Sequence, residues 1–158
     1  MKDRLVDLAL ILIAVGIAYS VIVVIELFTP TPSKEVVGKI SQNKGYQCLV
    51  DNAYHEARGE SLVCIKAVTQ VVMNRAKGDF NKVCDVVYKP WQFSWTHQTG
   101  KVSSRDFEAK ASEAILEVVD GNNNVMKHAT HYHANYVNPK WASRLKPLGA
   151  CDNHLFYK

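Results

Sequence analysis

Apolar residues form one long uninterrupted run near the start of the chain. From Leu8 to Ile25 there are 18 consecutive residues without a charge, just enough to cross a bilayer as a helix. A helix that is apolar on every face needs lipid or a large domain around it, and the rest of this chain is small. We therefore expect residues 1–28 to form a transmembrane anchor. No small-x-small cleavage site follows the run, which leaves removal as a signal peptide as the alternative.

Residues 29–44 contain Pro, Ser, Thr and Lys with little apolar periodicity, and we expect them to form a linker. Beyond it, apolar residues recur at helical spacing in three segments. These segments are Gly45–Ala57, Ser61–Lys77 and Ser103–Val118. Ser61 is suited to cap the second helix, in which Arg75 shares the apolar register, and Ser103 with Asp106 forms a possible capping box for the third. Gly78 and Gly121 are placed as stop signals, and residues 84–90 are expected to form a loop.

The C-terminal part of the chain has a different pattern. Ala129–Ala134 and His154–Tyr157 are short and strand-like, and turns are expected at Asn138-Pro139 and at Pro147–Gly149. The predicted fold class is therefore α+β, with residues 45–158 forming one mainly helical catalytic domain that carries a small antiparallel sheet.

Charge and cysteine content narrow the possible partners. The predicted domain has 14 Lys and Arg against 11 Asp and Glu, and it lacks a basic stripe interleaved with aromatics, so no nucleic-acid partner is expected. The four cysteines, Cys48, Cys64, Cys84 and Cys151, form no C-x-x-C pair, which argues against a zinc ribbon. An exported domain would favour a disulfide. Cys64 also fits a small core residue, and the pairing stays open.

Two glutamates lie at the end of the first predicted helix. The negative end of the helix dipole and partial burial would both raise the pKa of Glu56 toward that of a proton donor. A glycosidase needs such an acid, and a conventional one needs a second carboxylate, for which Glu60 is the candidate. On composition alone, a surface ion pair with Arg58 is the commoner role for a glutamate such as Glu56.

A series of short motifs favours the catalytic role of Glu56 over a surface ion pair. The motifs are, in order, Tyr54–Glu60, Val71–Arg75, Cys84–Tyr88, Gln92–Trp95, Thr130–His133, Pro139–Trp141 and Asn153–Tyr157. Together they resemble the SleB-type (spore-cortex-lytic) cell-wall hydrolase family over roughly Cys48 to Lys158. The resemblance implies a lysozyme-like helical core and cleavage of peptidoglycan between N-acetylmuramic acid and N-acetylglucosamine, in known members by lytic transglycosylation. It assigns Glu56 as the catalytic acid and implies no cofactor.

Seven further residues are expected to contact the sugar strand, because flat side chains stack on sugar faces and polar ones bind acetamido and hydroxyl groups. They are Tyr54, Arg58, Glu60, Gln92, Phe93, Tyr132 and His133. Glu60 is also expected to orient Arg58. Core packing is an equally good role for Phe93 and Trp95.

Two other functions fit parts of the sequence. His128, His131 and His133, completed by Asp152 or His154, could hold zinc in a peptidoglycan amidase or peptidase, although no full ligand motif is visible and no metal is predicted. A wall-binding module without catalysis is the second alternative. In each case peptidoglycan is the expected partner. The expected location is the cytoplasmic membrane, with the domain on the extracytoplasmic side.

Overall fold

The computed structural model describes residues 38, 40–97, 105–121 and 125–158, all within the compact unit that spans residues 34–158. The α-helices of this part include α1 (Lys44–Ala57), α2 (Leu62–Arg75), α3 (Val83–Val87) and α4 (Arg105–Val119). The predicted anchor, most of the predicted linker and Ser103 lie outside the described residues. None of the helices in the described ranges is long and apolar enough to span a membrane.

The helices form because their apolar positions share one face, and their ends carry capping side chains. Asn43 accepts a hydrogen bond from the Gly45 N–H at the start of α1, and Ser61 accepts one from the Cys64 N–H at the start of α2. Glycine is required at Gly45, since a Cβ there would overlap the Phe80 carbonyl oxygen. The buried faces of α1, α2 and α4 meet in one hydrophobic core, which includes Leu49, Ile65 and Ile115.

A three-stranded antiparallel sheet flanks this core, in the order β1 (His131–Ala134), β3 (His154–Tyr157), β2 (Pro147–Cys151). In β1 and β3, Tyr132 is paired with Phe156 and Ala134 with His154. The α+β prediction of a mainly helical domain with a small antiparallel sheet is confirmed.

Two disulfides connect distant parts of the chain. Cys48–Cys84 joins α1 to α3, and Cys64–Cys151 joins the first turn of α2 to the end of β2. Cys64 is fully buried, as expected of a core residue, but it is also half of a covalent link. Spacing along the chain could not reveal this pairing because the second bridge spans 87 residues.

Other predictions about elements were partly wrong. The segment expected to be a loop, residues 84–90, overlaps α3, which buries Val83 and Val87 and follows a 3₁₀ turn capped by Asp79. Pro147 and Gly149 were expected in a turn but belong to β2, an irregular edge strand, where a proline at the first position removes no ladder hydrogen bond. The second helix ends at Arg75, two residues earlier than predicted, and Gly78 follows it with φ 76°.

Candidate active site

A polar cavity of about 450 Å³ lies between the end of α1, the segment after α3 and the sheet. Thirteen residues line it. They are His55, Glu56, Glu60, Arg75, Gln92, Phe93, Ser94, Tyr132, His133, Ala134, Tyr136, Asn153 and His154. The cavity thus combines six of the eight residues predicted from the sequence, and Glu56 and Glu60 share it although α1 ends between them.

Glu56 is held in the last turn of α1 by the packing of that helix. Ala53 and Ala57 on the same helix are 1% exposed, and their contacts with the core fix the direction in which Glu56 projects. The Tyr132 hydroxyl donates a hydrogen bond of 3.0 Å to Glu56 Oε2. Burial raises the pKa of Glu56, while the Tyr132 hydroxyl, the Trp95 indole and the Arg75 charge act in the opposite direction. Burial is the largest of these effects, so the acid is shifted toward its protonated form.

The donors around Glu56 are suited to its ionised form as well. Burial and the neighbouring Glu56 raise the pKa of Tyr132 well above its ordinary value, which keeps its hydroxyl a donor. The Trp95 indole is 7% exposed, and its N–H has no hydrogen-bond partner of good geometry among the described residues. This N–H is close enough to Glu56 to lower its pKa. The site can therefore stabilise a carboxylate after the proton has left.

The end of α2 positions the strand that carries Tyr132. Asn74 donates a hydrogen bond of 2.7 Å to the Ala129 carbonyl, and Arg75 Nε donates one of 2.6 Å to the Thr130 carbonyl. These two bonds fix the chain just before β1, so that Tyr132 faces Glu56. Arg75 was not predicted as a site residue. The signal that could have identified it is a charged side chain in the apolar register of a helix.

Arg75 also contacts the segment after α3 that lines the cavity. Its Nη1 donates a hydrogen bond of 3.3 Å to Gln92 Oε1, and its guanidinium lies 5.8 Å from the centre of the Phe93 ring. Phe93 is 5% exposed, so it belongs to the core as well as to the cavity wall. Gln92 is exposed and lies at the rim.

The Glu60 carboxylate is hydrogen-bonded to the turn between β2 and β3. Its two carboxylate oxygens accept hydrogen bonds from Asn153 Nδ2 (3.1 Å) and the Asn153 N–H (3.4 Å), and its Oε1 lies 4.0 Å from His154 Nδ1. Burial lowers the pKa of His154. Asn153 was not predicted as a site residue and His154 only as a ligand in the zinc alternative, although both open the last of the motifs quoted above.

Tyr54 and Arg58 are not among the residues that line the cavity. The Arg58 guanidinium lies 5.1 Å from the centre of the Tyr54 ring, and that ring packs edge-on against Phe107. The expectation that Glu60 orients Arg58 is therefore wrong, because the Glu60 carboxylate is directed at Asn153 while Arg58 covers Tyr54. Tyr54 lies two residues before Glu56 on α1, about 200° around the helix axis, so the two side chains project from roughly opposite faces.

Two of the histidines considered as zinc ligands, His131 and His133, are engaged in other contacts. His133 Nδ1 lies 2.9 Å from the Ala134 carbonyl oxygen and its Nε2 lies 2.9 Å from the Tyr157 hydroxyl, so both ring nitrogens have protein partners. His131 Nδ1 lies 2.9 Å from Thr130 Oγ1. Across residues 38, 40–97, 105–121 and 125–158, one group of three side chains has metal-ligand geometry, namely Glu60, Cys64 and His154. Cys64 is bonded to Cys151 and is not a thiolate.

Fold and site together define an α+β enzyme-like domain with a buried carboxyl in an open polar cavity. A family model described as Cell Wall Hydrolase matches residues 59–157. The chain belongs to this Cell Wall Hydrolase family. The match begins three residues after Glu56, so the role of Glu56 depends on the geometry described above.

Comparison with solved structures finds two similar domains. One is described as the catalytic domain of the germination-specific lytic transglycosylase SleB from Bacillus anthracis, with 23% identity, a TM-score of 0.61, and coverage of 82% of this chain and 100% of that one. The other is the catalytic domain of the Bacillus cereus SleB protein, with 24% identity, a TM-score of 0.60, and coverage of 72% and 89%. These similarities show a SleB catalytic-domain-like fold. Comparison with curated protein sequences finds no match.

Proposed function

We propose that this protein cleaves the glycan strand of peptidoglycan between N-acetylmuramic acid and N-acetylglucosamine as a lytic transglycosylase, with Glu56 as general acid and then general base. The observation that carries the proposal is the Glu56 carboxyl, whose pKa is raised by burial in an open polar cavity and which accepts a hydrogen bond from Tyr132. A carboxyl that burial shifts toward its protonated form and that faces a cavity is suited to protonate a glycosidic oxygen.

The proposed reaction uses this one carboxyl twice. Protonated Glu56 gives its proton to the glycosidic oxygen as the bond from that oxygen to the muramoyl C1 breaks. The resulting carboxylate accepts the proton of the muramoyl 6-hydroxyl as O6 bonds to C1, which forms a 1,6-anhydro ring and returns Glu56 to its protonated form. Between the steps, Tyr132, Trp95 and Arg75 stabilise the carboxylate, since each favours the ionised form of Glu56.

The position of Glu60 supports a mechanism with one acid. A hydrolase with two carboxylates needs the second one free to activate water or to attack the sugar. Glu60 instead accepts two hydrogen bonds from Asn153 and lies beside His154. We infer that Glu60 holds the β2–β3 turn in place and that substrate contacts come from Gln92, Phe93, Tyr132 and His133, with Tyr54 and Arg58 supporting α1.

The comparisons agree with this chemistry. The Bacillus anthracis domain is described as a lytic transglycosylase, and the chain belongs to a family of cell-wall hydrolases. We extend the proposal to a lysozyme-like arrangement of the helical core, in which the acid projects from the end of a helix into the groove, as Glu56 does here.

We also propose that residues 1–28 anchor the protein in the cytoplasmic membrane, with the catalytic domain outside it. The 18 uncharged residues from Leu8 to Ile25 support the anchor. Two disulfides support an oxidising compartment for the domain, because cytosolic thiols are kept reduced. Membrane fractionation of the full chain tests this: recovery in the membrane fraction with the domain accessible to external protease is expected, and soluble cytosolic protein would contradict it.

Mass spectrometry of the products tests the chemistry. Residues 34–158 and the full chain are incubated with purified peptidoglycan, with and without a chelator, and the released fragments are compared with those from the Glu56→Gln variant. Anhydromuramic ends that disappear in the variant and persist with the chelator are expected. Reducing ends would indicate hydrolysis, and stem-peptide products lost with the chelator would indicate the zinc-dependent alternative. Binding without any product would indicate the wall-binding module.

A further inference from the structure

Tyr136 is an exposed aromatic residue at the mouth of the Glu56 cavity. It follows β1 in a tight turn and is 82% exposed. Among the described residues, six large hydrophobic side chains are exposed, and Tyr136 is the one of these six that lines the cavity. An exposed aromatic ring in a concave polar site is a feature that a binding function would explain, whereas isolated surface aromatics elsewhere need no explanation.

The backbone around Tyr136 is held on both sides. The Asn135 N–H donates a hydrogen bond of 2.7 Å to the Asn153 carbonyl, and the Val137 N–H donates one of 2.9 Å to the Ala134 carbonyl. The first bond continues the β1–β3 ladder into the turn that also carries the partner of Glu60. The backbone that carries the Tyr136 ring is therefore ordered, and it loses little conformational freedom when a ligand contacts the ring.

The chemistry of the cavity identifies the ligand class that this ring suits. Carboxylate, amide, imidazole and hydroxyl groups line the remaining walls, and these match the hydroxyl and acetamido groups of a sugar. A pyranose also has an apolar C–H face, and a flat exposed aromatic ring covers that face. Tyr136 is four residues after Tyr132, so their Cα atoms are at most about 14 Å apart, which is within one short glycan segment.

We propose that Tyr136 is a substrate-binding residue that stacks on a pyranose ring of the glycan strand close to the cleaved bond. This inference rests on the proposed function, because it takes the ligand to be the glycan substrate. The ring, not the hydroxyl, provides the contact, and it acts on binding of the strand without taking part in proton transfer at Glu56.

The test compares Tyr136→Ala, Tyr136→Phe and Tyr136→Trp, with Val137→Ala as the matched control. Val137 is the adjacent residue, is 48% exposed and does not line the cavity. Kinetics are measured on purified glycan strands of defined length, and binding of the same strands is measured by calorimetry on the Glu56→Gln background. Tyr136→Ala is expected to raise KM and Kd about fivefold to tenfold with kcat changed less than twofold, while the other three variants stay within about twofold.

The outcomes separate this inference from the function on which it rests. If the wild-type protein releases no glycan fragments, or if Glu56→Gln is as active as wild type, the proposed function fails. If cleavage depends on Glu56 but Tyr136→Ala leaves KM and Kd unchanged, the stacking role of Tyr136 alone is wrong. A Tyr136→Phe loss equal to that of Tyr136→Ala would overturn stacking in favour of a hydroxyl contact. If Tyr136→Ala does not fold, Tyr136→Ser replaces it in the test. Unchanged strand affinity in Tyr136→Ser would then overturn the inference.

Discussion

The Tyr132 hydroxyl donates a hydrogen bond of 3.0 Å to the Glu56 carboxylate across a separation of 76 residues. This bond joins the end of a helix to the middle of a strand, and it occurs because Asn74 and Arg75 hold the chain just before that strand. The bond favours the ionised form of Glu56 while burial favours the protonated form. A group that must give and take a proton in one reaction cycle needs both influences.

Replacement of Tyr132 by Phe tests this balance. Because the hydroxyl lowers the pKa of Glu56, its removal raises that pKa further. The alkaline limb of the kcat profile then moves to higher pH, and kcat falls about tenfold since the carboxylate loses a charge-assisted donor. Tyr157→Phe is the matched control, because it removes a hydroxyl that contacts His133 and not Glu56. A shift of the alkaline limb to lower pH would refute the assigned role of Tyr132.

Much of this fold could be predicted from the sequence, because the signals for it lie within short segments of the chain. The helix boundaries follow from Ser61 as a cap, Gly78 and Gly121 as stops, and apolar faces that turned out to be buried. The strand β2 was missed because Pro147 and Gly149 are common in turns as well as at irregular edges. The motif resemblance identified Glu56 as a candidate, whereas Arg75 was overlooked and the disulfide pairing stayed open. Both depend on contacts between segments far apart in the chain, which periodicity does not encode.

The burial of Glu56 has a consequence for stability. In the folded protein its pKa lies above the ordinary value of 4.5, so the folded state holds this proton more tightly than the unfolded chain does. The contribution is fully present below about pH 4.5 and is lost as pH rises through the folded-state pKa. Glu56→Gln, which removes the buried charge, is therefore expected to be more stable than wild type at pH 7 by about 1 kcal/mol, a typical gain for a relieved active-site residue.

Thermal unfolding of both proteins across pH checks this. The difference in Tm should close at about pH 4, where Glu56 is protonated in both the folded and unfolded states. A variant that is less stable than wild type at pH 7, or a difference that does not depend on pH, would show that burial is not the dominant influence on Glu56.

Glu60 is expected to act in positioning the β2–β3 turn and not in proton transfer. Glu60→Gln places an amide against the Asn153 donors, so a loss of about 1–2 kcal/mol in the free energy of unfolding is expected. Activity should fall by less than about tenfold, below the 10²–10⁴-fold typical of a catalytic acid or base. Glu113→Gln, at an exposed position on α4, is the control and should change neither quantity. Inactivation as deep as that of Glu56→Gln would make Glu60 a second catalytic carboxylate.

The two disulfides are expected to differ in their effect on activity. Chain entropy gives each a stabilisation of about 4 kcal/mol, slightly more for Cys64–Cys151 because its loop is longer. Cys64–Cys151 also holds the turn whose Asp152 accepts a hydrogen bond of 2.6 Å from the Ser61 N–H and whose Asn153 binds Glu60. Neither cysteine of Cys48–Cys84 lines the cavity.

Paired serine variants separate these effects. Both pairs should lower Tm, but at a temperature where both variants are folded only Cys64→Ser/Cys151→Ser should lower the cleavage rate, by about tenfold. A loosened cavity wall is expected to have an effect of this size, since a displacement of about 1 Å in a positioning group can cost about 10²-fold in rate. Equal rates in the two variants would mean that the wall of the cavity does not depend on this bridge.

The most direct test of the account is the rate of glycan cleavage by Glu56→Gln on purified peptidoglycan, measured beside wild type. The variant keeps an acceptor for the Tyr132 hydroxyl and is expected to fold, but it has no proton to give to the glycosidic oxygen. A loss of about a thousandfold or more in kcat is predicted, with strand binding retained. Cleavage within about tenfold of wild type by a folded variant would contradict the central claim that Glu56 is the catalytic acid.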